Sequence, residues 1–126
     1  MTVEILGKEY PVAYTIFAEN KICEKLGTIE NLGEMMDKGA AEAIDSVAYI
    51  LACLVSGGVQ RQKVMCNMAG EEYSGPEAVS YETIIAAMEP SDIFDKQKII
   101  FEAIKKGSET KVKLKSEKNA KATLSK

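Results

Sequence analysis

Nine consecutive apolar residues, Val47 to Val55 (VAYILACLV), constrain this chain more than any other stretch. The run is far short of the roughly 20 apolar residues that a membrane span takes, so it reads as buried core. From Ala40 to Val55 the positions Ile44, Val47, Ala48, Leu51, Leu54 and Val55 keep helical spacing. Ala41, Tyr49, Ile50, Ala52 and Cys53 make the same helix apolar nearly all round. A helix without a polar face needs neighbours on several sides. The chain is therefore expected to build its other elements around this one, with Ser56-Gly57-Gly58 ending it.

The first neighbour is of another kind. Val3 and Ile5, then Tyr10, Val12 and Tyr14, alternate with polar or small residues, which is strand period. Gly-Lys-Glu separates the two runs, so a hairpin is expected with its turn near Gly7 and Lys8. Pro11 has no N–H to give to a ladder, which places the second strand at an edge. After Thr15 the period lengthens. Ile16, Phe17, Ile22, Cys23 and Leu26 form an apolar stripe, Glu19, Lys21, Glu24 and Lys25 face out, and Gly27 supplies a stop. Thr28, or Asn31 with Glu34, can cap a short segment over Ile29 to Met36.

Beyond the glycine pair, Val59 to Met68 is expected as a separate helix, with Val64, Met65 and Met68 as its apolar face and Gly70 as its stop. The loop GEEYSGP leads to a helix from about Pro76 to Met88 carrying Val79, Ile84, Ile85 and Met88. Glu89-Pro90 breaks it. Ser91 is expected to cap the last helix, with Asp92 in its first turn and Lys105 and Lys106 in its last, as the helix dipole favours. Its buried face would be Ile93, Phe94, Ile100, Phe101 and Ile104, and its C-cap Gly107. The fold class expected is thus mainly α with a small N-terminal β-hairpin (α+β). Residues 1–107 would form one compact multi-helix domain, and 108–126 a disordered tail.

The charge pattern draws the same boundary. Residues 1–107 hold 10 basic and 17 acidic residues, a net of -7; residues 108–126 hold six lysines and two glutamates, a net of +4. The tail has only Val112, Leu114 and Leu124 to bury, too little to offset the entropy of ordering it. It admits three readings: a plain solvated tail, a segment that binds an acidic protein surface through residues such as Lys111, Lys113 and Lys115, or a nucleic-acid contact. The last is disfavoured, because the tail has no arginine and no aromatic residue and the body is acidic.

Catalysis finds little to work with. There is no histidine, which removes the commonest general base and zinc ligand. Cys23, Cys53 and Cys66 are widely spaced among apolar neighbours and form no C-x-x-C pair, as expected of small buried hydrophobes in a reducing compartment. Tyr10 and Tyr14 beside Glu9 and Glu19 lack any partner that would make them a site, and SGGVQRQK lacks phosphate-loop spacing. No catalytic residue, cofactor or metal is expected. Glu4, Lys8 and Glu9 interrupt any signal-peptide pattern, so a soluble intracellular protein is expected. Met35, Met36, Met65, Met68 and Met88 are numerous, and methionine serves both core filling and adaptable binding surfaces. Both readings stay open for them, with a soft partner-binding groove as the functional one.

The order of elements resembles the small tail assembly chaperones of long-tailed bacteriophages and prophages. In that divergent family a hydrophobic-G-K-E-Y-P hairpin, here Ile5 and Leu6 to Pro11, leads into an apolar helix ending at an E-x-x-G stop, here Glu24 to Gly27. A long alanine-rich helix follows, matched by Ala40 to Val55. A final helix begins with an acidic-capped turn, here Ser91, Asp92 and Ile93, and ends A-[IL]-x-x-G, here Ala103, Ile104 and Gly107. The likeness covers about residues 3–107; the GEEYSGPEAVSYE loop and the lysine tail fall outside the pattern. It implies a non-enzymatic protein of the bacterial host cytoplasm that binds the tape measure protein, helps recruit tail tube subunits and is missing from the finished virion. A homo-oligomer fits that role as well. In many members a ribosomal frameshift yields a longer product, and the Lys105-Lys106 codons would carry the slippery run. The alternatives are a structural connector or tail component, and a small regulator that binds a partner or nucleic acid through its lysine-rich tail.

Overall fold

A computed structural model of the chain describes residues 1–27 and 40–108. Strands β1 (Thr2–Ile5) and β2 (Lys8–Pro11) pair antiparallel, with Val3 opposite Tyr10, Glu4 opposite Glu9 and Ile5 opposite Lys8. Only Leu6 and Gly7 separate them, at φ 53° and 79°. Two left-handed residues in succession are what a two-residue hairpin turn of matching twist requires. The turn therefore sits one residue earlier than expected, because Lys8 belongs to the ladder. Val3 and Ile5 enter the core while Glu4 stays outside. Pro11 is buried too, and β2 lies at an edge of the two-stranded sheet, as expected.

Helix α1 (Ile16–Leu26) begins where the Thr15 hydroxyl accepts the Ala18 N–H at 3.2 Å, and it stops at Gly27, whose N–H reaches the Cys23 carbonyl. Its buried stripe is Ala18 and Ile22, with Leu26 half-buried. Ile16 and Phe17, expected on that stripe, are exposed instead. They lie about 200° and 100° round the helix from Ala18, the small residue that touches the next element.

That element is α2, one unbroken helix from Ala40 to Met68. The two helices expected on either side of Ser56-Gly57-Gly58 are a single rod of about 43 Å. The glycines serve packing between backbones. A Cβ on Gly57 would lie 2.6 Å from the Ala13 carbonyl oxygen, and one on Gly58 would lie 2.3 Å from that of Pro11. The strand-to-helix connection crosses α2 at this point, where the Ala13 N–H also donates to the Leu54 carbonyl at 3.1 Å. Only a residue without a side chain admits so close an approach. The cost of glycine in a helix, about 1 kcal/mol relative to alanine, is outweighed by the buried contact.

Around α2 the remaining helices close the core. Helix α3 (Tyr81–Ala87) starts five residues later than expected, because Ser80 caps it, accepting the Thr83 N–H. Val79 and Ile84, both buried, occupy the positions of a hydrophobic staple across that cap. Val79 thus works from outside the helix, and Ile85 is exposed. Helix α4 (Pro90–Asp95) has Pro90 at its first position and Glu89 as its N-cap with no side-chain bond, so Ser91 lies inside it instead of capping it. Proline is well placed there, since the first N–H of a helix has no partner to lose.

A turn at Lys96 leads into α5, helical over 97–108, with the Ile100 N–H donating to the Lys96 carbonyl. Ile93, Ile100, Ala103 and Ile104 are buried; Phe94 and Phe101, expected beside them, are exposed. Gly107 is no C-cap: the helix continues through it to 108, and a Cβ there would meet Tyr14 at 2.9 Å. The fold is mainly α with a small hairpin, as expected. No helix among the described residues is long and apolar enough to cross a membrane. The segment expected over Ile29 to Met36, its caps at Thr28 or Asn31, and the tail after 108 lie outside the described residues.

Candidate functional site: an apolar groove between α1 and α2

The core ends part-way along α2. Val59 is buried, but Gln60 to Met65 are all exposed. Gln60, Arg61, Gln62 and Lys63 are four polar residues in succession, and four residues go once round an α-helix. From there the helix is exposed, with Cys66 alone half-buried among 60–68. It still carries Val64 at 57%, Met65 at 58% and Met68 at 82% exposure, so the apolar face expected of Val64, Met65 and Met68 is turned to solvent and, of the two readings open for the methionines, Met65 and Met68 do not fill core.

Across from them stands the first turn of α1. Thr15 fixes its start, and the Ala18–Ile22 stripe, by packing inward, leaves Ile16 79% exposed and Phe17 on the rim. Between the helices lies a groove of about 350 Å³ with Gly57 in it and Ile16, Phe17, Val64 and Met65 along it. Thr15, Gln60 and Arg61 are its polar lining, and Lys21 lies over the Phe17 ring at 5.9 Å. The flexible Met65 makes the walls adaptable. Apolar side chains gathered on one face, rimmed by polar ones, mark a binding surface.

A second cluster lies on the other side of Phe17. The Lys25 ammonium sits 4.3 Å from the centroids of both Tyr49 and Tyr81, whose rings meet edge to face at 5.7 Å. The Tyr81 hydroxyl donates to Asp45, and the Tyr49 hydroxyl donates to the Lys21 carbonyl at 3.1 Å. Hydrogen bonding to Asp45 pushes the Tyr81 phenol above its ordinary value; for Tyr49 the main cause is burial. Burial likewise raises the Cys53 thiol beside them, away from the thiolate a nucleophile would need. Each polar tip has a protein partner, so the cluster reads as a clasp joining α1, α2 and α3.

The loop before α3 is tied down separately. Lys63 pairs with Glu77 at 2.7 Å on the surface, and the Tyr73 hydroxyl donates to the Pro76 carbonyl at 2.6 Å. Among the described residues no three His, Cys, Asp or Glu side chains gather as a metal site would need. The three cysteines are free.

Of the residues expected to bind a partner, Met65 lines the groove, and Met68 follows three residues later on the same helix. Met88 is half-buried in a separate depression of about 300 Å³ with Ile44, Ile84 and Ile93. Met35, Met36, Lys111, Lys113 and Lys115 lie outside the described residues. Ile16, Phe17 and Val64 are groove residues that the sequence places on buried faces. The polar turn at 60–63 is the signal that should have moved Val64 outward. Ile16 and Phe17 carry no such sign, because core and groove positions there share one spacing. No protein-family model, curated protein or solved structure matches the chain.

Proposed function

We propose that this chain is a non-enzymatic tail assembly chaperone of a long-tailed phage or prophage, binding an amphipathic helical stretch of the tape measure protein in the α1–α2 groove. The observation that carries the reading is the solvent-facing apolar set Ile16, Phe17, Val64 and Met65, beside a helix that has left its own core. A tape measure protein is a long amphipathic helical chain, and a helix laid in a groove is anchored by apolar residues at i, i+3, i+4 and i+7. A methionine-bearing wall suits a client that offers many similar segments, since it repacks from one to the next. The element order from the GKEYP hairpin onward supports the same family.

In this reading the protein works in the host cytoplasm, helps recruit tail tube subunits and leaves before the particle is complete. Coexpression with the tape measure protein tests it. The two should coelute on size exclusion, and Val64→Glu with Met65→Glu should abolish the complex while the variant stays folded by circular dichroism. Two separate proteins on the column would sink the proposal. Mass spectrometry of purified particles separates it from a connector or tail component, because a chaperone is missing there.

A further inference from the structure

The apolar groove is one stretch of a longer channel. Phe17 lines it together with a second depression of about 370 Å³, which follows the α1–α2 seam the other way. Along α1 the lining runs from Ile16 through Phe17 and Lys21 to Lys25; along α2 it runs from Met65 back to Tyr49. That stretch of α2 is about 24 Å long.

The charges along this channel run against those of the molecule. Residues 1–107 carry a net of -7. The channel's charged lining is Lys21, Lys25 and Arg61, with Glu82 the single carboxylate among the described residues. All three cations are exposed, and none forms an ion pair among the described residues. Lys25 lies instead against the rings of Tyr49 and Tyr81, and Lys21 against that of Phe17. A ring face attracts a cation without neutralising it. Both ammoniums are thus placed at the border of an apolar floor with their charge uncompensated. The Cys53 thiol in the same wall registers that charge: burial raises it, and both ammoniums are among the groups that oppose the rise. Charges bordering an apolar surface set partner choice and encounter rate more than affinity.

We infer that the channel's occupant is an amphipathic helix with acidic borders. Its apolar residues lie along Ile16, Phe17, Val64 and Met65, and its carboxylates face Lys21, Lys25 and Arg61. The two lysines stand on the α1 wall and Arg61 on the α2 wall, so acidic residues on either side of an apolar stripe meet a cation. An acidic segment is repelled by the body as a whole and attracted at this border. The assignment rests on the groove as a binding surface and adds what its occupant must carry.

Two designed peptides of about 18 residues test it, sharing one apolar stripe and carrying either glutamate or lysine at the bordering positions. Fluorescence anisotropy against the full chain should give about tenfold tighter binding of the glutamate peptide at low salt, narrowing as salt screens the border charges. Lys21→Glu with Arg61→Glu, folded by circular dichroism, should reverse the preference. Lys8→Glu with Lys98→Glu changes the net charge equally at exposed positions that line no part of the channel, and should leave the preference in place. Equal affinity for the two peptides, or tighter binding of the lysine peptide, overturns the inference while the groove stands. So does a preference that survives the Lys21 and Arg61 reversal, or one that the Lys8 and Lys98 reversal abolishes as well. Binding of neither peptide overturns the groove as a binding surface, and this inference with it.

Discussion

The two halves of α2 share a helix and little else. Residues 46–59 are buried apart from Tyr49 and Ser56, which are half-buried, while 60–68 are exposed apart from the half-buried Cys66. Both halves carry apolar side chains, so hydrophobicity alone does not distinguish core from groove. What distinguishes them is the crossing at Gly57 and Gly58. Before it, α1, the hairpin and the later helices all have α2 to pack on. After it, α2 extends past them, faced by the first turn of α1 and, through Lys63, by the loop that carries Tyr73 and Glu77. Among the described residues Val64, Met65 and Met68 are left as an exposed apolar surface, and that surface carries the functional proposal.

The sharpest test of this contrast removes equivalent atoms from both halves. Leu51→Ala, at a fully buried position, should cost about 2–5 kcal/mol by chemical denaturation. Met68→Ala, at 82% exposure, should fall within roughly 0.5 kcal/mol of the unaltered protein. Equal losses would show that the second half is packed after all. Gly58→Ala comes next, and here the sign decides. Were the glycine an ordinary helix-interior residue, alanine would stabilise by about 1 kcal/mol. The Pro11 carbonyl 2.3 Å from the new Cβ predicts instead a loss of about 1–3 kcal/mol, with the hairpin forced outward.

The same glycines show what sequence can carry. Ala40 to Val55 is legible as a central helix because its apolar residues recur with no polar face, a property of the chain itself. The hairpin is legible because the period changes at Thr15. Ser56-Gly57-Gly58 misleads, since the rule that glycine ends helices describes an isolated helix, while here the deciding partner is the Pro11–Ala13 backbone, distant along the chain. Phe94 and Phe101 mislead in the same manner. Their spacing is that of Ile93, Ile100 and Ile104, and only the direction of packing separates a buried aromatic from an exposed one. Half of the groove is recoverable, since the polar turn at 60–63 places Val64 and Met65 outside. The α1 half is not, because which side of α1 turns inward is set by contact at Ala18.

Smaller effects probe what covers the buried half. Ser80→Ala removes the cap of α3 and should cost about 1 kcal/mol, read as a lower denaturation midpoint with an unchanged slope. Tyr14, on the connection that crosses α2, has a buried hydroxyl with no partner among the described residues. Burial chiefly, with Glu19 and Cys23 adding to it, pushes its phenol well above the ordinary value of 10. The folded state thus holds the proton that the unfolded chain releases. This contribution leaves stability unchanged below pH 10 and lowers it as pH rises above. Tyr14→Phe should flatten that alkaline decline without removing it, since Tyr49, Tyr73 and Tyr81 are raised as well. At neutral pH it should be neutral or slightly stabilising, because it deletes an unsatisfied group.

The smallest expected change in stability carries the largest functional consequence. Val64→Gln with Met65→Gln keeps helix propensity near that of the replaced residues and empties no core, so the unfolding midpoint should barely move. If the groove is a binding surface, the same pair should release a bound amphipathic helix, because most binding energy in such a groove comes from a few apolar anchors. Calorimetric titration with an amphipathic peptide should then give a negative heat-capacity change for the unaltered protein and none for the variant. A large fall in stability would instead mean that Val64 and Met65 cover part of the core. The distinction between the two halves of α2 would then be false, and the groove would be a seam of the fold.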